Sequence, residues 1–209
     1  MTTVEPTFFV YDKQLGQVAD YIGAVTPGVT LHRSAVPVFV ESMMVIMVAR
    51  LEHFLTSLIA GGVRDQEVLM RTHFRQHGND DEQRLAESCS LKTLIEMARR
   101  RVSFKQQGKR LESMFNVLFG FSPWPDDSTR CIIHDLVLLR NVFVHEGEKV
   151  LAEHAQQAHR QNLFTSHSYG DLTVYSVDYG AALPFLRDAT VALKTQSQHV
   201  RARLSRRLA

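Results

Sequence analysis

Residues Val38 to Ala60 are apolar around most of a helical circumference, with Met43, Met44, Ile46, Met47, Leu51, Phe54, Leu55 and Leu58 spread over several sides. A helix of that kind needs cover nearly all round. The segment therefore predicts a long helix in the middle of a bundle or at a contact between subunits. Gly61-Gly62 is read as its stop. The longest apolar stretch, Val36 to Ile59, carries Glu41, Arg50, Glu52 and His53. Such groups are costly inside a bilayer, which argues against a membrane span. A chain of 209 residues that is 44% hydrophobic and 22% charged can bury a sizeable core as one folded domain. Its two cysteines, Cys89 and Cys131, cannot make a disulfide scaffold, and no CxxC spacing suggests zinc. Met1 to Pro6 does not open a secretory signal, so the expected location is cytoplasmic.

The remaining pattern is mostly helical. Thr7 to Tyr11 reads as a brief strand or a hydrophobic staple, and Leu15, Val18, Ala19 and Ile22 follow at helical spacing. Ala24 to Pro37 reads as a loop, and Phe74 to Gln83 as a loop or helix start. Helices are expected over Glu82–Val102, over Arg110–Phe119 with Gly120 as a stop, over Ser128–His145, and over Leu183–Leu208. Asp126, Asp127 and Ser128 are cap candidates for the third of these. Residues 148–162 are polar and partly helical in this reading. Leu172 to Val177 is β-prone after turn chemistry at Tyr169-Gly170-Asp171, so a hairpin is expected. The fold class is all-α: a bundle of four or five helices with a small β-hairpin before the last. The expected outline is a single domain over 1–209, with a core bundle at about 36–208. A leading extension at 1–35 and a polar, β-prone insertion at about 148–180 complete it.

The residues that carry chemistry are Arg140, Asn141 and His145, at the end of an apolar helix. Arginine stays charged and suits bidentate contact with a phosphate. Histidine can exchange a proton near neutral pH. Asn141 and His145 are i and i+4 and share one face, whereas Arg140 and His145 stand roughly 140° and about 7.5 Å of rise apart. One helix alone makes a poor site from that pair. Two such helices related by a twofold axis would bring Arg and His of both chains into one cleft, which motivates a homodimer. The bland alternative is a solvated arginine and a histidine that favours the negative end of a helix dipole. Arg71/His77 and Arg160/His167 have similar spacing, about as often as chance gives, but only Arg140 is followed directly by Asn.

Arg140-Asn141-Val142-Phe143-Val144-His145 resembles the R-x4–6-H signature of the HEPN superfamily. The Asn after the Arg, Gly147 two past the His and the β-prone segment before the last helix look most like the RiboL-PSP-HEPN group. Leu51-Glu52-His53-Phe54-Leu55 is similar to the early bundle helix of that family. The resemblance implies a metal-independent endoribonuclease acting as a homodimer, with a toxin or phage-defence role and a partner such as an antitoxin. His145 would transfer protons, Arg140 would stabilise charge on phosphorus, and Asn141 would orient the phosphate. Products would be a 2′,3′-cyclic phosphate and a 5′-OH. No cofactor, no metal and no membrane partner are expected. The competing expectation is a non-catalytic helical dimer that binds RNA, a nucleotide or a partner protein.

Other features have plainer readings. Glu52 and His53 would support Arg140 or His145, or else form a capped or rim-exposed pair. His73 and His77 have the spacing of a helical metal pair but read as a solvated segment. Met43, Met44 and Met47 read as packing, and both cysteines as small buried hydrophobes. The formal charge of +2 hides an asymmetry. Residues 99–110 hold six basic and no acidic side chains, residues 194–209 hold five and none, and the rest of the chain sums to −9. Arg99, Arg100, Arg101, Lys105, Lys109 and Arg110, with Arg201, Arg203, Arg206 and Arg207, are therefore candidates for tracking an RNA backbone.

Overall fold

The computed structural model describes residues 4–25, 35–101, 109–145, 152–169 and 172–208. They are mostly helical, with a two-stranded antiparallel hairpin before the last helix, as the periodicity led us to expect. The helices are α1 (Val4–Val25), α2 (Ala35–Asp65), α3 (Glu67–His77), α4 (Asp80–Ser88), α5 (Leu91–Arg101), α6 (Lys109–Phe119), α7 (Asp127–His145), α8 (Ala152–Gln157) and α9 (Tyr179–Leu208). Strands β1 (Phe164–Tyr169) and β2 (Leu172–Val177) pair in the register Phe164↔Val177 to Tyr169↔Leu172. The turn expected at Gly170-Asp171 lies outside the described residues.

The chain forms two compact units. The first takes residues 1–11, 52–125 and 196–209, and the second takes 12–51 and 126–195. The stretch read as an N-terminal extension carries α1, whose Phe8, Tyr11, Leu15, Val18 and Ile22 are all buried. Their spacing of three and four is one helical face, so Thr7–Tyr11 is helix rather than strand or staple. In the first unit Tyr11 stacks on Phe54 at 4.1 Å, and Phe8 meets the same ring edge-on at 5.2 Å.

Helix α2 begins before Val38, and Pro37 sits in its first turn, where a missing N–H costs no intrahelical bond. By length and composition it is long and apolar enough to cross a membrane, but half of its most apolar window is buried within the protein. Gly61-Gly62 does not stop it. A Cβ on Gly62 would lie 2.6 Å from the Phe119 ring, so this glycine admits an aromatic side chain against the helix backbone. Nothing lies within 4 Å of a Cβ on Gly61. Gly62→Ala is therefore expected to lower stability by about 1–3 kcal/mol through overpacking. Gly61→Ala should raise it by up to about 1 kcal/mol through helix propensity, both read from urea denaturation.

The single helix expected over Glu82–Val102 is two helices, broken at Cys89-Ser90. Ser90 Oγ accepts the Thr93 N–H at 3.2 Å and caps α5. The carbonyls left open at the end of α4 are taken by Arg71 of α3, which donates to Ala86 O at 3.0 Å and Cys89 O at 2.8 Å. Glu67 holds the same guanidinium at 2.6 Å and raises its pKa further. The start of α4 has a reciprocal cap, Asn79 Oδ1 accepting from Glu82 N while Glu82 Oε2 accepts from Asn79 N, both at 2.9 Å. Gly120, with φ of 71°, ends α6 as expected.

Candidate functional site at the end of helix α7

Asp126 starts α7: its Oδ1 accepts the Thr129 N–H at 2.7 Å. Ile133, Leu136, Leu139 and Val142 recur at three-residue spacing and are fully buried, which sets the inward face of the helix. Arg140 and Asn141 stand half-buried on its flank. Arg140 Nη1 donates to Asn141 Oδ1 at 3.0 Å, so the neighbouring amide orients the guanidinium. His145 is the last residue of α7, and its side chain lies outside the described residues. Cys131, on the same helix, is half-buried, and burial pushes its thiol pKa up, against a reactive thiolate.

Beside the motif the second unit holds an apolar groove of about 440 Å³, lined by Glu41, Ser42, Val45, Ile46, Phe143 and Val144. Val45, Ile46 and Val144 are 37%, 38% and 50% exposed. The helix expected to need cover on every side thus has a buried stripe and, in its first half, an exposed apolar one. The wall of the groove is held by Tyr179, which donates to Glu41 Oε1 at 2.5 Å and lies parallel to Phe143 at 6.1 Å. Glu52 and His53 belong to the first unit rather than the second. Glu52 is half-buried, and His53 is exposed.

The basic candidates fall in the first unit. Arg99 pairs with Glu96 at 3.0 Å. Arg100 and Arg110 are exposed and line a cavity of about 360 Å³ with His73, Asn79, Glu82, Ser113 and Met114. Lys105 and the side chains of Arg101 and Lys109 lie outside the described residues. On α9, Arg201, Arg203, Arg206 and Arg207 are exposed. The Arg201 guanidinium sits 5.9 Å over Phe8 and that of Arg203 5.6 Å over Phe121. Arg207 donates to Leu118 O at 3.2 Å, at the negative end of α6. These three cations therefore also serve packing and capping. His73 and His77 have ring centroids 5.1 Å apart, with His77 exposed.

Sequence reasoning passed over one constellation. His134 and Asp135 on α7 and His159 after α8 bring their donor atoms within 4.8 Å of one another. A warning was present, since Asp135 falls between Ile133 and Leu136 on an apolar helix, where a charge needs a reason. The third member is 24 residues further on and outside any local spacing rule. No protein-family model matches the chain, and no curated protein or solved structure matches it.

Proposed function

We propose that the chain is a HEPN-type endoribonuclease that acts as a homodimer and cuts RNA without a metal ion. The observation that carries this reading is the Arg140–Asn141 pair, a half-buried guanidinium oriented by its neighbour little more than one turn before His145. In the proposed reaction the RNA 2′-oxygen attacks the adjacent phosphorus. A new P–O2′ bond forms as the P–O5′ bond breaks. One histidine removes the 2′-OH proton, and another delivers a proton to the departing 5′ oxygen, which a twofold pair of His145 side chains would supply. Arg140 would balance the extra negative charge on the pentacoordinate phosphorus. Asn141 would hold that guanidinium through its oxygen while offering amide N–H groups to the phosphate. The exposed Val45, Ile46 and Val144 support the dimeric part of the reading, because apolar surface beside the motif is what a second copy would cover.

The test is incubation with single-stranded RNA in EDTA. Fragments ending in 2′,3′-cyclic phosphate and 5′-OH are expected, with no cleavage of DNA of the same sequence, which lacks the nucleophile. Intact RNA, or fragments with 5′-phosphate ends, would overturn the proposal. Saturable binding of uncut RNA would identify a non-catalytic helical module instead.

A further inference from the structure

We propose that His134, Asp135 and His159 bind a divalent transition-metal ion of the zinc class. All three lie in the second unit. Asp135 is 1% exposed, and its two oxygens accept the N–H groups of His159 and Arg160, each at 2.9 Å. These bonds fasten the segment after α8 to α7 and carry the His159 ring to 5.2 Å from that of His134. A carboxylate oxygen has a second lone pair, so both backbone bonds can persist while Asp135 ligates.

Two groups here lack a full complement of partners among the described residues. His134 Nδ1 is buried without a hydrogen bond and stands 3.6 Å from Asp135 Oδ1, beyond hydrogen-bond range and an ion pair only when the imidazole is protonated. The Asp135 charge is not met by the guanidinium of Arg160, which pairs with Asp188 at 2.6 Å instead. A buried carboxylate and an open imidazole nitrogen are costly separately, and one cation resolves both. Two imidazoles and one carboxylate favour zinc and its neighbours over magnesium or calcium, which prefer oxygen donors throughout. Bonds of about 2.0–2.2 Å put tetrahedral ligand atoms about 3.3–3.6 Å apart, closer than the 4.8 Å within which they now lie. The exposed His159 ring can close that gap by rotating. The ion would tie α7 to the segment after α8, so its effect is on stability and takes no part in RNA cleavage.

Metal-free protein titrated with zinc chloride by calorimetry should bind one equivalent saturably, with a higher melting temperature. Magnesium should do neither. Cobalt(II) should give a visible ligand-field band. His159→Gln and His134→Gln should each weaken zinc binding at least about tenfold, while His77→Gln leaves it unchanged. His159 is exposed, so its variant should fold as wild type. Asp135 is unsuited to substitution, because its loss would also loosen two backbone bonds. Absence of saturable binding, equal affinity in His159→Gln, or loss in His77→Gln instead would overturn the site.

Discussion

Replacing His145 or Arg140 with alanine is expected to lower RNA cleavage by about 10²–10⁴-fold for the histidine and about 10²–10³-fold for the arginine. Both changes should leave the circular dichroism spectrum unaltered. The magnitudes follow from the assigned roles. Without His145 the 2′-OH has no positioned base and the 5′ oxygen no positioned acid. Without Arg140 the charge that builds on phosphorus meets water instead of a fixed guanidinium. Stability should change little on replacing Arg140, because the inward face of α7 is made by Ile133, Leu136, Leu139 and Val142 while Arg140 is only half-buried. Losing the Arg140–Asn141 hydrogen bond costs about 1 kcal/mol. Lysine at position 140 should recover only part of the rate, since it keeps the charge but not the planar fork. Gel analysis of end-labelled RNA measures all of this. Undiminished cleavage by both alanine variants would place the chemistry elsewhere.

A second large effect is expected at the groove beside the motif. Val144→Glu and Ile46→Glu put a charge on surface that is already solvent-accessible, so each chain should still fold. In a twofold dimer each glutamate would be desolvated against the other copy. At about 3 kcal/mol or more, the dimer dissociation constant should rise over a hundredfold. Cleavage should fall in parallel at dilute protein and recover as concentration rises, with analytical ultracentrifugation giving the association state. Mixing Arg140→Ala with His145→Ala chains sharpens the test. The proposed cleft uses the His145 of both chains, so heterodimers keep one arginine and one histidine and should stay well below wild type. Recovery to about a quarter of wild-type activity would show two separate sites that each take Arg from one chain and His from the other. Full activity in a monomeric Val144→Glu protein would show that one chain holds a complete site.

Much of the helical architecture was legible because it is written in local spacing. Leu172 to Val177 announced a strand through β-branched and aromatic residues, and the end of α7 was placed by apolar periodicity. The misread positions share a cause. Cys89-Ser90 contains neither glycine nor proline, and the helix breaks there because Ser90 caps the next turn while Arg71 takes the open carbonyls. Gly61-Gly62 looks like a stop in isolation, yet a ring 57 residues away uses the missing Cβ. Thr7–Tyr11 looks β-prone until Phe8 and Tyr11 are seen to meet Phe54.

The candidate site divides in the same way. Arg140 and Asn141 are adjacent, so their pairing could be anticipated from the sequence, and the apolar helix around them identified where to look. The basic segments were visible as charge runs, but not that Arg203 would cover Phe121 or Arg207 would reach the last turn of α6. Sequence by itself determined the helical periods, the hairpin and the Arg-Asn…His pattern, because each depends on neighbours within a few residues. Tertiary structure alone decided that Asp135, set among apolar residues of α7, would capture the backbone of His159 and Arg160, and that two histidines 25 positions apart would face one carboxylate. Burial makes that difference: a charge removed from water must find its partners in space, wherever along the chain they occur.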